Sequence, residues 1–224
     1  MVIPDRPMVP PQQQIATYDF FDLAQQVGYV SFYGAAIDTS AGLAFRFFRE
    51  QNNTFGTNTT GAGTTASYNA YYSQVSSGYT GEYNYDFTVT RPMIIEGDIF
   101  LSYQIVNETN AAAGSDGHAL TTIKVYHYDG STETQLGSTV SHDDQNGAGT
   151  TYAWAHSDVV TAARTLFKVG ETFRVEITLQ CNGAHASSNS RFLHEPNNSS
   201  AMTVTAGYYA GSQFKVNVPV YLGT

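Results

Sequence analysis

Strict alternation of apolar and polar side chains is the clearest pattern in this chain, and it is strongest within residues 166–180, LFKVGETFRVEITLQ. The alternating apolar positions are Phe173, Val175, Ile177 and Leu179. Successive side chains of a strand point to opposite faces, so a period of two predicts a strand with one face in a core and the other in water. A Gly-Glu pair shortly before this strand predicts a tight turn.

A second turn-then-strand unit lies at residues 94–106, IIEGDIFLSYQIV. Gly97 and Asp98 predict its turn. The alternate apolar positions of its strand are Ile99, Leu101, Tyr103 and Ile105. Two units of one kind favour two packed sheets, because each half-apolar strand needs a second layer to cover it. They do not point to a reaction.

Apolar or alternating residues predict further strands at residues 27–37, 43–50, 83–90, 121–128, 202–210 and 213–222. Asp129 and Gly130 are the strongest short hairpin signal, and the return strand is expected within residues 132–141. Gly34 is expected at a bulge or where another backbone comes close. Roughly eight to eleven strands with almost no helix predict an all-β fold, a two-sheet antiparallel β-sandwich of jelly-roll type.

The segments between these strands are predicted as loops. The longest covers residues 51–81, and a loop of that length in a compact domain is often functional or packed against a partner. Polar loops are also expected at residues 107–118, 142–150 and 182–200. A helical turn is expected at residues 22–26. Another is expected near residues 158–164, with Ser157 or Asp158 as its cap.

Residues 1–14 are rich in proline and glutamine. Proline fixes φ and removes a hydrogen-bond donor, so this segment is predicted to be an extended arm rather than a helix or a central strand. Two interpretations stay open, a disordered tail and an arm that lies along a neighbouring subunit. Residues 15–224 are assigned to a single β-sandwich domain, because all-β domains of about 200 to 250 residues are common.

Charged residues make up 13% of the chain, which is about half the usual share. Apolar residues make up 42%, enough for a core, so solubility depends on Thr, Ser, Asn, Gln and Gly. Such a composition is typical of surfaces that face other subunits or the outside world. A metabolic enzyme of the cell interior usually carries more charge.

Charge and missing patterns exclude several classes of protein. Ten basic and nineteen acidic residues give a net charge of −9, which repels a phosphate backbone and argues against a nucleic-acid partner. No apolar run has the length of a secretory leader or a membrane-spanning helix, so neither is expected. Cys181 is the one cysteine, so no intrachain disulfide is expected, and its position in an alternating strand predicts a buried side chain.

The densest polar cluster is HDDQN at residues 142–146. Hard cations bind carboxylate and amide oxygens in flexible loops, so Asp143, Asp144 and Asn146 are candidate calcium ligands. The spacing lacks the regular D-x-[DN]-x-[DN]-G pattern and its downstream Glu, so a solvated turn is the favoured interpretation. No metal or other cofactor is therefore expected.

No catalytic motif stands out. The histidines form no H-x-H or H-E-x-x-H pair and are interpreted as surface or hydrogen-bonded side chains, namely His118, His127, His142, His156, His185 and His194. There is no G-x-S-x-G elbow, no phosphate-binding loop and no motif that would make the cysteine a nucleophile. No catalytic residue is assigned, and the chain is expected not to be an enzyme.

Aromatic residues are the remaining candidates for recognition. Tyrosine is an ordinary strand residue, but in a neutral loop it also stacks on sugars or packs into a subunit contact. The candidates for a carbohydrate site or a subunit interface are Tyr68, Tyr71, Tyr72, Tyr79 and Trp154.

Over its whole length the chain resembles the all-β structural proteins of virus particles, that is, jelly-roll capsid, decoration and turret subunits. The resemblance rests on the arm at residues 1–14, on KVGETFRVEITL and IIEGDIFLSYQI, on the long neutral loops, and on FKVNVPVYLGT at the end of the chain. It implies trimers, pentamers or hexamers on a particle surface, contacts with other shell proteins, assembly in a host cytoplasm, and no catalytic residues.

Three hypotheses follow. In the first, the chain is a structural protein of a virion or similar shell and acts through symmetric subunit interfaces. In the second, it is a carbohydrate-binding or adhesin module that uses loop tyrosines and Trp154. In the third, it is a jelly-roll enzyme whose site sequence alone does not reveal. The first is favoured, because low surface charge reduces the cost of desolvating large contacts.

Overall fold

The computed structural model describes residues 16–17, 27–39, 42–48, 66–68, 72–108, 117–146, 151–183, 188–193 and 214–221. Within these residues the regular structure is β throughout, with no helix. The strands are β1 Ala16–Thr17, β2 Val27–Thr39, β3 Gly42–Phe48, β4 Ala66–Tyr68, β5 Tyr72–Ser76, β6 Thr80–Thr88, β7 Met93–Glu108, β8 Gly117–Tyr128, β9 Glu133–Asn146, β10 Thr151–Phe167, β11 Thr172–Gly183, β12 Asn189–Leu193 and β13 Lys215–Tyr221. The predicted all-β class is confirmed.

These strands form one hydrogen-bonded sheet in the order β4-β5-β12-β7-β13-β2-β3-β6-β11-β8-β9, with β1 on β2 and β10 on β7. The pairings are antiparallel, apart from one parallel bridge between Arg46 of β3 and Asp86 of β6. Strand β10 follows one edge of β7 along its whole length. The other edge of β7 is shared between β13 and β12.

The sheet folds over so that its two halves face each other as a β-sandwich. Strand β2 passes between the layers, because its first half pairs with β13 and its second half pairs with β3. The ring of Tyr85 on β6 lies 6.1 Å from that of Phe192 on β12, although several strands separate them in the sheet. Contacts of this kind place the core between the two layers.

Strand β11 lies between β6 and β8 and confirms the strongest sequence pattern. Its alternate side chains from Phe173 to Cys181 are fully buried. This confirms both the predicted alternation and the predicted burial of Cys181. Ile177 lies opposite Tyr83 on one side and Ile123 on the other. Each large apolar side chain buried in this way contributes about 1.5–3 kcal/mol to folding.

The predicted hairpin at Asp129 and Gly130 is also confirmed, because β8 ends just before it and β9 begins just after it. The carboxylate of Asp129 accepts hydrogen bonds from the backbone N–H groups of Ser131 and Thr132. These bonds favour the charged carboxylate, and they lower the pKa of Asp129 below its ordinary value. Gly130 has a φ of 99°, a left-handed conformation that glycine adopts without steric cost.

Two strands are longer than the sequence predicts. β9 continues to Asn146, so residues 142–146 form a strand rather than a loop. β10 runs unbroken through residues 158–164, so the helical turn predicted there is wrong. Pairing with the full length of β7 satisfies the backbone groups of β10, and this tertiary pairing overrides the local helix signal.

Two predicted loops also contain strands. β12 lies within residues 182–200, and β4, β5 and the start of β6 lie within residues 51–81. These short strands are rich in Ser, Asn and Gln, so alternation does not reveal them. The predicted arm at residues 1–14, the turn at 22–26 and the strand at 202–210 lie outside the described residues. The division into an arm and one domain stays a prediction.

Gly34 on β2 lies where another backbone comes close, as predicted. Its N–H donates a hydrogen bond of 2.9 Å to the carbonyl oxygen of Phe214. A Cβ atom at this position would lie 2.1 Å from Cδ1 of Phe214 and 3.0 Å from Cδ1 of Tyr85. The ring of Phe214 therefore fills the space that a larger residue would need.

We expect Gly34→Ala to lower the free energy of unfolding by about 1–3 kcal/mol, because the added methyl group displaces the Phe214 ring. Urea denaturation followed by circular dichroism measures the change. Adding Phe214→Leu makes room, so the double variant should be more stable than the sum of the two single effects implies. Strictly additive losses would contradict this cause.

Candidate functional site

One outward face of the sandwich carries exposed apolar side chains. Alternation along β7 turns Phe100 away from the core, and the strand register places Val159 of β10 opposite it. Phe100 is 39% exposed and Val159 is 49% exposed. The ring of Tyr29 lies 5.7 Å from that of Phe100, and Leu166, 51% exposed, lies opposite Ile94. We call these five residues the outer apolar face.

Two acidic groups on this face have partners within the chain. Nη1 of Arg164 lies 2.9 Å from Oε2 of Glu96. The hydroxyl group of Thr161 donates a hydrogen bond of 2.6 Å to Oδ1 of Asp98. The guanidinium group of Arg164 also lies over the ring of Tyr221, 5.3 Å from its centroid. Arg164 and Glu96 therefore neutralise each other, whereas Asp98 keeps its negative charge.

The candidate calcium ligands lie on β9, where alternation sends neighbours to opposite faces. Asp143 is exposed, and its Oδ1 lies 2.9 Å from Nδ1 of His118. Asp144 is buried, and its Oδ2 lies 2.8 Å from Nε2 of His156. The two carboxylates therefore have different partners and do not converge.

Asn146, the third candidate, is buried and exchanges hydrogen bonds with Asn107 of β7. Its Nδ2 donates to the carbonyl oxygen of Asn107, and its Oδ1 accepts from Nδ2 of Asn107. Within the part of the chain that the structure describes, no group of three or more His, Cys, Asp or Glu side chains could hold a metal ion.

The aromatic candidates are spread along the sheet. Tyr79 is 44% exposed at the turn between β5 and β6. Trp154 lies on β10, so β7 and β12 separate its strand from β5. The backbones of Tyr68 and Tyr72 belong to β4 and β5, while their side chains, like the whole of Tyr71, lie outside the described residues.

Sequence reasoning misses a group of ionisable side chains where β9 lies against β10. Nε2 of His142 lies 3.1 Å from both carboxylate oxygens of Asp158. His156 pairs in the same way with Asp144, so each histidine of one strand binds the aspartate of the other. The signal is a His-x-Asp pattern that occurs once on each strand. When the two strands run antiparallel, the histidine of each pattern lies beside the aspartate of the other.

Tyr103 of β7 completes this group. Its buried ring lies 5.2 Å from that of His156, and its hydroxyl group donates a hydrogen bond of 2.7 Å to Oδ2 of Asp158. The two imidazole rings are 4.1 Å apart. Burial is the main cause that raises the pKa of Tyr103, and the hydrogen bond to Asp158 adds to it. We call Tyr103, His142, Asp144, His156 and Asp158 the histidine–aspartate cluster.

The histidine–aspartate cluster joins two strands that have no backbone ladder between them. β9 pairs with β8, and β10 pairs with β7. The strands also approach closely at Gly137, where a Cβ atom would lie 2.5 Å from the carbonyl oxygen of Thr161. Imidazole–carboxylate pairs serve acid–base catalysis when the second ring nitrogen or the carboxylate faces a substrate. Here each carboxylate binds the opposite strand, which suits a cross-strand contact.

No protein family profile matches the sequence, and no curated protein matches it. A CocE/NonD family hydrolase of Staphylococcus aureus is a structural neighbour, with 9% identity and a TM-score of 0.44. The match covers 84% of this chain and 36% of the hydrolase chain. In the described residues no helix is long and apolar enough to span a membrane.

Chains of viral particles are also weak structural neighbours. A structure of the infectious bursal disease virus Gx strain has 12% identity and a TM-score of 0.25, over 87% of this chain and 55% of that one. The T13 particle of the same virus has 10% identity and a TM-score of 0.23, over 92% and 56%. This chain thus spans between about a third and just over half of these chains. The likeness concerns the all-β architecture alone.

We expect Tyr103→Phe to change the response of stability to alkaline pH. The unfolded chain releases the phenolic proton near the ordinary pKa of 10.0, whereas the folded protein retains it. Folding stability therefore falls as the pH rises above that value, and Tyr103→Phe should make the fall shallower. At neutral pH the variant should lose about 1–2 kcal/mol, because Asp158 loses a donor.

Urea midpoints of both proteins between about pH 8 and about pH 11 check this expectation. Tyr152→Phe is the matched control, because the tyrosine it replaces is largely exposed. Equal slopes for the wild-type protein and Tyr103→Phe would show that Tyr103 ionises alike in the folded and unfolded chains.

Proposed function

We propose that this chain is a non-enzymatic structural protein that assembles with copies of itself, as a subunit of a virion shell or of its decoration. The observation that carries the proposal is the outer apolar face. Phe100 and Val159 lie side by side on neighbouring strands and leave apolar surface in water, a cost that a subunit contact removes.

The electrostatics of this face are compatible with a contact between copies of the chain. Arg164 and Glu96 neutralise each other beside the apolar residues, so this pair adds no net charge to a subunit contact. Subunit interfaces are depleted of charged residues at their centre and enriched in aromatic residues. A face that contacts its own copy forms a closed symmetric pair, and a face that contacts a different patch forms a ring.

The whole-chain resemblance to virion proteins supports a particle surface as the place of assembly. Trimers, pentamers or hexamers of the chain would bind other shell proteins there. A chain with 13% charged residues gives up little ion hydration when large surfaces are buried. Assembly needs no catalytic residue, metal or cofactor.

We expect the purified protein to be a closed oligomer, and we expect Phe100→Asp and Val159→Asp to dissociate it. A carboxylate placed in an apolar contact loses its hydration without gaining a partner. Light scattering behind a sizing column, with negative-stain images of the same fractions, measures the mass and shape of each protein.

Thr134→Asp is the control for an added charge elsewhere, because Thr134 is exposed on β9. It should leave the oligomer unchanged. Circular dichroism checks that all three variants are folded. A monomeric wild-type protein at every concentration, or an oligomer that survives both face variants, would exclude this interface.

A further inference from the structure

A pair of aromatic rings stands on the other side of β10. Tyr152 and Trp154 occupy alternate positions of the strand, so they point to the same side, opposite to Val159. Their ring centroids are 6.0 Å apart, and the ring planes make an angle of 39°. Tyr152 is 51% exposed, and Trp154, the only tryptophan of the chain, is half-buried.

The two rings offer an apolar surface with polar groups at its end. His156 is the next residue on the same side of the strand, and Asp144 holds its Nε2 at 2.8 Å. Aromatic ring faces carry partial negative charge, and they attract the weakly positive C–H groups that line one face of a pyranose ring. His156 and Asp144 bind each other, so they fix the end of this surface.

The charges around this pair select against anionic sugars. Asp158 follows on the same side of β10, and Asp144 of β9 lies beside His156. Within the described residues, the side chains that bind these carboxylates are histidine and tyrosine. Arg191, two strands away, is held by Glu108 through an ion pair of 2.6 Å. Carboxylated or sulfated sugars would therefore meet net negative charge without a free cation among these groups.

We propose that Tyr152 and Trp154 form a stacking site for a neutral oligosaccharide. The two rings bind successive or opposed faces of hexose units. This role goes beyond assembly and does not depend on it, because the site and the outer apolar face lie on opposite sides of β10. It adds attachment to a glycan-bearing surface.

Trp154 makes the site directly observable, because it is the source of all tryptophan fluorescence in the chain. The full-length protein is titrated with neutral oligosaccharides of glucose, galactose, mannose and N-acetylglucosamine. We expect at least one to shift the emission in a saturable way. Tyr152→Ala should weaken that binding about fivefold to tenfold, because one stacking surface is lost. Tyr152→Phe, which keeps the ring, should bind almost as well as the wild-type protein.

Tyr128→Ala is the control for a tyrosine elsewhere, at the end of β8, and it should bind as the wild-type protein does. A glycan array with neutral, sialylated and sulfated sugars gives a second readout, on which Trp154→Ala should lose the signal. The proposal is overturned if no neutral sugar binds, if only anionic sugars bind, or if Tyr152→Ala and Trp154→Ala bind normally. Light scattering on the same samples measures the oligomeric state independently of sugar binding. A monomer that binds sugar would contradict the proposed assembly but support the stacking site.

Discussion

Aromatic packing between the two layers is the interaction on which the rest of this structure depends. The ring of Phe214 contacts Tyr85 from one layer at 4.8 Å and Phe192 from the other at 5.0 Å. Phe32 stacks on Phe173 at 5.7 Å. Backbone ladders join neighbouring strands, but these rings join strands that are distant in the sheet. A register slip of one residue would turn a strand's rings from the core into water, so ring packing also fixes the register.

The alternation of strand β10 places different sets of side chains on its two sides. Its outward positions include Val159, which joins the outer apolar face. Positions of the opposite parity include Trp154, His156 and Asp158, which lie beside β9 and the end of the sandwich. Because β7 supports β10 along its entire length, the two sets of side chains are held in fixed positions relative to each other. A change at the side chains on one side of β10 therefore leaves the side chains on its other side in place.

Much of this fold follows from local sequence. The period of two predicts β11 and β7, Asp129 and Gly130 predict the β8–β9 turn, and Gly34 predicts a close backbone contact. The polar residues 142–146 were expected in a loop because they show no apolar alternation, and only their pairing with the start of β8 makes them a strand. A local pattern does not show which residues a strand pairs with.

The same limit applies to the candidate sites. Trp154 is a candidate for recognition from the sequence alone, whereas the pairing of His142 with Asp158 required knowing that β9 and β10 run side by side. The outer apolar face was not predicted at all. In the sequence, Phe100 and Ile94 are ordinary strand residues. The strand register places Val159 and Leu166 opposite them and shows that this side faces water.

The histidine–aspartate cluster has a consequence for how this chain avoids unwanted polymerisation. A strand at the end of a sheet exposes backbone groups that can template a foreign strand and start edge-to-edge aggregation. In the described residues, β9 and β10 each have a ladder on one side alone, and the cluster fastens those two strands to each other. The His–Asp pairs thus lie along the strand edges to which a foreign strand would bind. The histidine–aspartate cluster thereby protects these two strand edges from pairing with a foreign strand.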